Sequence, residues 1–581
     1  MDRIEALEDA LTITWAEADH IRISDARRLT GPGMIWDHPG AVIDVFVEDD
    51  TDAVVAAWGF HARRVLDALG WWGEHVTTRR FQGGLNLALS APMDQLYSAI
   101  FAAQTAWHFC AADLLDTTPH PFKEMIEDIK EVMKQESDPA LITLIRAAAD
   151  HDVDILSDDD AVSIGHGCGS QTWPIGGLPS PADVDWTTLH DIPVALITGT
   201  NGKTTTTRLC TAIAQAAGKM AGLTSTDMVR VGDDILDRGD YSGPGGARML
   251  LRDARVEIVC LEVARGGILR RGLPTKRARV AVVTNVAKDH LGEYGVNTVP
   301  ELAQAKFAVH RTLPADGMLV LNADDPASVA EAPQVDKTIC WFSLDPNAPQ
   351  IVQAQANGTP CAYQNGTDLI YFDGHAGIPI MGVADAPVTL FGAAKYNIRN
   401  VLAAICASVA LEIPCQAIKA GISGFKPDAQ DNPGRCNEFS YNGARVFIDF
   451  AHNVHSISAI SETLGALPAL RRFLMQSHPG DRSDADIRAG TTAALAFKPD
   501  VVIAADLPDH LRGRTLGEVP DLITSAAMAG GVARAQIDQT ATPSIGARLI
   551  LNQLRPGDVA LLLVLSDRDK VFEMLQAAQA G

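Results

Sequence analysis

One short segment of the chain combines a strand end, two glycines and a Lys-Thr pair. It spans residues 197–206 with the sequence ITGTNGKTTT, follows an apolar run and precedes a helical stretch over 208–217. Glycines allow backbone N–H groups to approach phosphate oxygens, and a helix N-terminus attracts anions. The spacing GxxGKT is shorter than the common GxxxxGK[ST]. The alternative is a strand-to-helix turn without a ligand, and the Lys-Thr pair in this context favours a phosphate-binding loop.

The residues of this loop would make different contributions to nucleotide binding. Lys203 would bring positive charge to the terminal phosphates, and the Thr204 hydroxyl would ligate Mg²⁺. The predicted nucleotide-binding residues of the loop are Gly199, Thr200, Asn201, Gly202, Lys203, Thr204 and Thr205.

Short apolar runs recur on both sides of this loop. The runs VALITG, VEIVCLEVA, VAVVTNVA and MLVLNADD each end in polar residues and alternate with helical segments. Such runs are typical of a parallel sheet covered on both faces, in which function lies at the carboxyl ends of the strands. A second α/β block with strands at ARVFIDFA, VVIAAD and VALLLVLS follows.

Residue composition and hydrophobic patterning divide the 581 residues into four regions. Residues 1–120 mix a short strand (41–47) with Ala-rich helices (53–69 and 93–114), which predicts an α+β accessory domain. Residues 121–190 begin as a charged helix and end in a Gly/Pro-rich linker or strap. Residues 191–427 are predicted as the nucleotide-binding domain, and residues 428–581 as a C-terminal α/β domain.

Charge and cysteine usage exclude several classes of partner. The 48 Lys and Arg residues stand against 72 Asp and Glu residues, a formal net charge of −24. This acidity argues against general nucleic-acid binding and against an anionic membrane surface. The 9 cysteines form no CxxC pair, and the first twenty residues are acidic and mixed, unlike a signal peptide. We therefore expect a cytoplasmic protein with free thiols.

The order of motifs after residue 193 resembles the Mur ligase superfamily. GTNGKTTT resembles its phosphate loop, and TNVAKDHL over 284–291 resembles its TNxxxDHL motif. Glu262, at the end of the strand VEIVCLE, occupies the place of a Mg²⁺-binding glutamate, and Lys306 that of a lysine which these ligases often carbamylate. The remaining matches are LNADDP at 321–326, GAAKYNIRN with Asn397 and Asn400, NPGR at 432–435 and DFAHN at 449–453.

Three further segments resemble the Mur-ligase-like half of cyanophycin synthetases. They are LEVARGGILRRGL at 261–273, PGDRSDADIR at 479–488 and LRGRTLGE at 511–518. The N-terminal WDHPGAVIDV and GGLNLALSAP are loosely similar to the amino-terminal region of those enzymes, which carry a long ATP-grasp domain before the Mur-like half. Residues 121–190 are too few for that domain. Tyr396 and Val454 also stand where many Mur ligases have His and Pro.

The resemblance implies a fold and a set of site residues. The fold is α/β, with a Mur-ligase-like parallel-sheet ATPase domain, a Rossmann-like C-terminal domain and the α+β N-terminal domain. The implied catalytic residues are Lys203, Lys306 and His290. The implied Mg²⁺ ligands are Thr204, Glu262 and His290, and a carbamate on Lys306 would hold a second Mg²⁺. Outside the loop, the implied ATP contacts are Asn400, Arg435, Asp449 and His452.

Several of these residues have structural alternatives. Glu262 could cap the turn after its strand, and Lys306 alone would be a solvated helix lysine. His290 alone would be a surface or core histidine, a preference that its DHL context reverses. The arginines of RGGILRRG, namely Arg265, Arg270 and Arg271, form either a solvated turn or a clamp for a substrate carboxylate or phosphate.

The leading functional prediction is an ATP- and Mg²⁺-dependent ligase. It would activate a carboxylate as an acyl phosphate and join an amino acid to it by an amide or isopeptide bond, on a cyanophycin-like or aspartate-rich peptide. One alternative is a ligase for another small acid. Another is a non-catalytic nucleotide-binding scaffold for a separate ATP-grasp enzyme. The oligomeric state, including a homo-oligomer, is left open by the sequence.

Overall fold

The computed structural model describes residues 17–48 and 50–580. The prediction that the first twenty residues lack a signal peptide falls mostly outside this part of the chain. Within it, no helix has both the length and the apolar character needed to cross a membrane.

The N-terminal region is a four-stranded antiparallel sheet with two long helices on one face. Large apolar side chains from both layers, among them Trp58, Leu87 and Trp107, form one core. The sheet order is β1-β2-β4-β3. The elements are β1 (Ile21–Leu29), β2 (Gly40–Val47), α1 (Thr51–Leu69), β3 (Val76–Phe81), β4 (Gly84–Ser90) and α2 (Leu96–Leu114).

The next region contains more regular structure than the sequence predicted. After α3 (Phe122–Glu136) and α4 (Pro139–Asp150), the chain forms β5 (Ile155–Ser157), β6 (Ala161–Ile164) and β7 (Gln171–Pro174). These strands pair into a small antiparallel sheet. The Gly/Pro-rich stretch interpreted as a linker therefore carries β7, because its short β-branched and aromatic run QTWP pairs with β6.

The central sheet has 11 strands in the order β11-β10-β9-β12-β8-β13-β14-β15-β16-β17-β18. The strands from β9 to β16 in that order are parallel, and each end of the sheet is extended by antiparallel strands. The predicted buried runs form its middle: β8 (Val194–Thr198), β12 (Ile258–Glu262), β13 (Val280–Val283) and β14 (Met318–Asn322). The other strands are β9 (Ala221–Thr224), β10 (Met228–Val231), β11 (Asp234–Arg238), β15 (Thr338–Ser343), β16 (Cys361–Asn365), β17 (Asp368–Phe372) and β18 (Gly377–Gly382).

Helices cover both faces of this sheet, and each face has its own apolar core. Both faces of the middle strands are thereby removed from water, which explains their continuous apolar sequences. The helices are α5 (Lys203–Ala216), α6 (Pro244–Leu251), α7 (Arg265–Arg271), α8 (Val299–Phe307), α9 (Pro326–Glu331), α10 (Pro349–Ala356), α11 (Lys395–Ala410) and α12 (Cys415–Gly424).

The C-terminal region is a six-stranded sheet in the order β19-β20-β24-β21-β22-β23. All of its strands except β19 are parallel to their neighbours. The strands are β19 (Asn437–Tyr441), β20 (Ala444–Asp449), β21 (Arg472–Gln476), β22 (Val501–Ala505), β23 (Ile537–Thr540) and β24 (Val559–Leu563). The helices are α13 (Val454–Gly465), α14 (Asp484–Ala494), α15 (Glu518–Ala529), α16 (Pro543–Leu551) and α17 (Arg568–Ala580). The predicted α/β fold class is confirmed.

Candidate active site

The predicted phosphate loop joins β8 to α5 in the middle of the central sheet. Gly199 and Gly202 have φ angles of 144° and 87°, which side chains with a Cβ rarely adopt. Lys203 is the first residue of α5, and its ammonium donates to the carbonyl of Thr200 at 3.0 Å. The loop thus places a lysine and a helix N-terminus at the carboxyl end of a parallel strand, which suits a phosphate group.

Two side chains from the end of β13 hold the backbone of this loop. The hydroxyl of Thr284 donates to the Asn201 carbonyl at 2.6 Å, and the Asn285 amide donates to the same oxygen at 2.9 Å. In return the Asn201 N–H donates to Asn285 Oδ1 at 3.0 Å. The Thr-Asn pair of the sequence TNVAKDHL therefore fixes the shape of the loop, a role that the sequence analysis did not assign to it.

Asn400, on α11, lies directly against the loop. A Cβ at Gly202 would come within 2.3 Å of Asn400 Oδ1, so the close approach requires glycine. The Asn400 amide donates to Asn397 Oδ1 at 3.0 Å, and the Asn397 amide donates to the Val388 carbonyl at 2.8 Å. Asn397 orients the side chain of Asn400 at the edge of the predicted nucleotide site.

Glu262 is a buried carboxylate with an unfilled oxygen. Its side chain is at the end of β12, where Oε2 accepts from the Thr226 N–H at 3.3 Å and Oε1 has no hydrogen-bond partner within residues 17–48 and 50–580. Burial raises its pKa, although Lys203 and Arg435 act in the opposite direction. An unpaired carboxylate oxygen close to the Thr204 hydroxyl is the donor chemistry that Mg²⁺ prefers. The residues present fit a magnesium ion.

Lys306 is buried rather than solvated. It is 4% exposed on α8, and its amine donates to the Gly199 carbonyl at 2.7 Å. Burial lowers its pKa well below the ordinary value, and the nearby charges of Lys203 and Arg265 lower it further. A neutral amine, unlike an ammonium, is nucleophilic. The solvated-helix alternative for Lys306 is therefore excluded by its position.

His290 belongs to a cluster of three potential metal ligands. The ligand atoms of Asp289, His290 and His452 lie within 4.8 Å of one another. The guanidinium of Arg482 donates to Asp289 Oδ1 at 3.1 Å and lies 3.4 Å from His290 Nε2. Burial opposes ionisation of Asp289, yet His452, His290 and Arg482 together hold its pKa well below the ordinary value. In this arrangement a cationic side chain occupies the approach to both Asp289 and His290.

The C-terminal domain closes the other side of the site. Asn201 and Asn453 exchange side-chain hydrogen bonds of 3.3 and 3.0 Å, and the Asn201 amide also approaches His455 Nδ1 at 3.0 Å. Arg435 donates to Thr204 Oγ1 at 3.3 Å and lies over the ring of Phe450. A cleft opens between the two domains at these contacts.

This cleft contains many of the predicted nucleotide contacts. Asp449 accepts from the backbone N–H groups of Cys436 and Ala451 at 2.8 and 2.7 Å, and burial raises its pKa. Predicted residues in the cleft wall are Asn201, Gly202, Thr205, Asn400, Arg435, Asp449 and His452. Residues of the wall that the sequence analysis did not assign include Asn285, Asn322, Asp324, Asp325, Arg399 and His455. Tyr396, which replaces the histidine of many Mur ligases, also lines it.

The arginines of RGGILRRG lie on α7 and have different surroundings. Arg265 pairs with Glu293 at 2.5 Å, and its other terminal nitrogen is buried without a hydrogen-bond partner in the described part of the chain. Arg270 donates to the hydroxyl of Tyr294 at 2.9 Å. The backbone carbonyl of Arg271 accepts from the Thr30 N–H at 2.9 Å. The segment RGGILRRG is therefore helical and packed against neighbouring loops, rather than a fully solvated turn.

Comparisons with known proteins agree with this geometry. The family description "Mur ligase middle domain" matches residues 197–408, from β8 through most of α11. The resemblance to Mur ligases found in the sequence is confirmed, and the matched region contains the phosphate loop, Glu262, His290, Lys306 and Asn400.

The similarity of the chain to known relatives extends beyond residues 197–408. A cyanophycin synthetase of Crocosphaera subtropica (strain ATCC 51142 / BH68) is 40% identical over 334 residues, 57% of this chain and 38% of that protein. The chain thus spans well under half of the length of that relative. A UDP-N-acetylmuramoyl-L-alanyl-D-glutamate–2,6-diaminopimelate ligase of Geobacter metallireducens is 27% identical over 64% of this chain and 73% of that protein.

A solved structure shares the fold. E. coli FolC in complex with ADP superposes with a TM-score of 0.50 and 19% sequence identity, covering 67% of this chain and 90% of that one. At this identity the likeness concerns the fold alone. It agrees with the arrangement of the 11-stranded central sheet followed by the smaller C-terminal sheet.

Proposed function

We propose that this protein is an ATP-dependent ligase that forms an amide bond between a carboxylate and an amino acid. The observation that carries the proposal is the convergence at one strand edge of Lys203, the unpaired Glu262 oxygen and the buried amine of Lys306. A nucleotide site alone needs the loop. It does not need a second buried lysine beside it.

The reaction would take place in two balanced steps. A carboxylate oxygen of the acceptor attacks the γ-phosphorus of ATP, the bond to the β-phosphate oxygen breaks, and ADP leaves. The amine nitrogen of the amino acid then attacks the acyl carbon, phosphate leaves, and the nitrogen loses a proton. Catalysis of such transfers depends on positioning and on charge neutralisation.

Named residues of the chain would supply both the positioning and the charge neutralisation. Lys203 would neutralise charge on the transferred phosphoryl group, while the N–H groups at the start of α5 hold the phosphates. Thr204 and Glu262 would hold Mg²⁺, which supplies electrostatic stabilisation when it is bound. His290, and Lys306 in a carbamylated form, are the proposed ligands of a second Mg²⁺.

The nucleotide would lie in the cleft between the two domains. Asp449 has carboxylate lone pairs left after its two backbone contacts, which suits ribose hydroxyls. Asn400 and His452 would flank the base, and Arg435 would approach the phosphates together with Thr200 and Thr205. The contacts of Asn201 with Asn453 and His455 would form fully only when the C-terminal domain is closed.

The proposed substrates come from the similarity to cyanophycin synthetase. We propose an aspartate-rich or cyanophycin-like peptide as the acceptor and an isopeptide bond as the product. A homo-oligomer and a separate ATP-grasp partner are further proposals, the second because residues 121–190 are too few for an ATP-grasp domain between the two regions that resemble cyanophycin synthetases.

The test is phosphate release from Mg-ATP with each of the twenty amino acids, with and without aspartate-rich peptides. Release that requires both an amino acid and an acceptor, with the matching mass gain in the peptide, supports the ligase. Lys203→Ala should abolish release, whereas Lys219→Ala, an exposed lysine just beyond α5, should not. Tight ATP binding without turnover in every combination would instead favour a nucleotide-binding scaffold, and turnover with another acid would favour a different ligase.

A further inference from the structure

The segment between Asp289 and α8 connects two proposed site residues. His290 lies at the start of this segment, and Lys306 lies on α8, which follows it. Its backbone is unusual, because His290, Tyr294 and Gly295 have φ angles of 47°, 55° and 70°. Left-handed conformations at bulky residues are unfavourable unless the surroundings enforce them. Residues 289–298, which we call the connecting loop, therefore need an external restraint.

The N-terminal domain supplies that restraint through Arg79 on β3. One terminal nitrogen of Arg79 donates to the Gly295 carbonyl at 3.0 Å and to Asn86 Oδ1 at 2.9 Å. The other donates to Gln304 Oε1 on α8 at 3.2 Å. A single guanidinium thus joins the connecting loop to the helix of Lys306.

The turn between β3 and β4 adds contacts to the same two elements. The Gln82 N–H donates to Glu301 Oε1 on α8 at 2.9 Å, and the Gln82 carbonyl accepts from the Asn297 amide at 2.5 Å. Phe81 lies so close to Gly295 that a Cβ there would be 2.5 Å from its ring. The β3–β4 hairpin therefore contacts the connecting loop and α8 from one side.

A buried charged cluster anchors the hairpin behind these contacts. Asp44, which is 2% exposed, pairs with Arg27 at 2.5 Å and accepts from the Asn86 amide at 2.5 Å. Arg27 also donates to the Leu269 carbonyl of α7 at 2.7 Å and lies over the ring of Tyr294. Breaking one member of such a buried cluster leaves an uncompensated charge, so its geometry is tightly held.

The opposite side of the connecting loop faces the proposed site. Glu293 pairs with Arg265 at 2.5 Å, and at the start of the loop the guanidinium of Arg482 donates to Asp289 Oδ1 at 3.1 Å and lies 3.4 Å from His290 Nε2. An ordinary domain interface is the alternative explanation of the hairpin contacts. The two explanations differ in whether loss of Arg79 changes the site or only the attachment of the domain.

We infer that the β3–β4 hairpin is a positioning element of the ligase site, in which Arg79 holds Gly295 and Gln304 and thereby fixes His290 and Lys306. This inference rests on the proposed function for its kinetic part. Its structural part concerns only the connecting loop and α8.

Arg79→Ala and Arg80→Ala form a matched pair for the test. Arg80 is the next residue of β3, is half exposed, and bonds to Thr51 and Asp52 within the N-terminal domain. Arg79→Ala should lower kcat by about 10- to 100-fold and raise the Mg²⁺ concentration for half-maximal activity, as for loss of residues that orient metal ligands. Its KM for ATP should change less than twofold. Arg80→Ala should match the parent in kcat, in the Mg²⁺ concentration for half-maximal activity and in the KM for ATP. Arg79→Lys should recover part of the kcat that Arg79→Ala loses.

Hydrogen exchange gives a readout that does not depend on turnover. Amides of residues 289–307 should exchange faster in Arg79→Ala, while those of α5 keep the parent rates. If the parent protein shows no turnover, the proposed function fails, and this exchange pattern still decides the positioning role. Parental kcat, Mg²⁺ dependence and exchange in Arg79→Ala would overturn the inference. If that variant does not fold, the same measurements on Arg79→Lys apply, with smaller changes of the same sign.

Discussion

Replacing Glu262 by Gln should stabilise the metal-free protein while it weakens the response to metal and nucleotide. The carboxylate is 2% exposed, one of its oxygens has no hydrogen-bond partner among the residues that the structure describes, and the other accepts from the Thr226 N–H at 3.3 Å. An unsatisfied buried polar group costs about 1–3 kcal/mol, and more when it is charged. Gln keeps a buried polar group but removes the charge, which burial disfavours more than Lys203 and Arg435 favour it, so the variant should recover part of this cost, about 1 kcal/mol of the free energy of unfolding.

The pH dependence of this effect has a definite sign. Burial raises the pKa of Glu262 above its ordinary value of 4.5, so the folded protein binds this proton more tightly than the unfolded chain. The stability contribution of Glu262 is fully present below pH 4.5 and is lost as the pH rises through the raised pKa. The advantage of Glu262→Gln should therefore increase with pH above 4.5 and level off beyond the raised pKa.

Thermal melting with and without Mg²⁺ and ADP measures both effects. A change of 1 kcal/mol shifts the Tm of a domain of 150–250 residues by about 2–4 °C. The metal-free variant should melt at least about 2 °C above the parent at pH 8, and Mg-ADP should raise its Tm less. As a control, Glu257→Gln removes an exposed carboxylate just before β12 that pairs with Lys219, and it should not raise the Tm. A metal-free Glu262→Gln variant with a lower Tm and the full parental response to Mg-ADP would refute the reasoning.

Two further predictions concern the lysine and the domain contact. Because burial lowers the pKa of Lys306, its amine should lose a proton and add CO₂ more readily than an exposed lysine, so turnover in CO₂-free buffer should fall and recover with bicarbonate; equal rates in both buffers would contradict this. Asn453→Ala removes both hydrogen bonds to Asn201, at about 1 kcal/mol each, so the Kd for Mg-ATP by calorimetry should rise by about 5- to 30-fold. The exposed Ser458→Ala on the same helix should bind like the parent, and an unchanged Kd for Asn453→Ala would contradict the role of this contact.

The sequence predicted the middle of the central sheet because burial there is complete. Strands with both faces covered read as continuous apolar runs, and β8, β12, β13 and β14 lie where such runs were found. The outer strands β10, β11, β17 and β18 escaped prediction. The exposed positions in β11, such as Asp234 and Asp237, remove the apolar signal, and antiparallel pairing with β10 at the edge of the sheet decides the strand instead.

In the site, too, the features that depend on local sequence were predicted, and the contacts between distant segments were not. The loop and its Lys-Thr pair follow from local sequence, because a glycine turn before a helix is a local property. The support from Thr284 and Asn285 and the contact of Arg482 with Asp289 were not predicted. They depend on how separate segments meet in three dimensions, which no spacing along the chain encodes. The proposed roles of Glu262, His290 and Lys306 in catalysis stay predictions.

The position of β8 in the sheet has a consequence for the making of this protein on the ribosome. The strand emerges before both of its neighbours, β12 and β13, and Asn453 lies 252 residues after Asn201. At roughly 5–20 residues per second, that stretch takes on the order of ten to fifty seconds to synthesise. During that time the phosphate loop lacks the C-terminal domain, which forms the other side of the cleft. The nascent chain is therefore unable to trap nucleotide in a finished cleft until the residues around Asn453 have been translated.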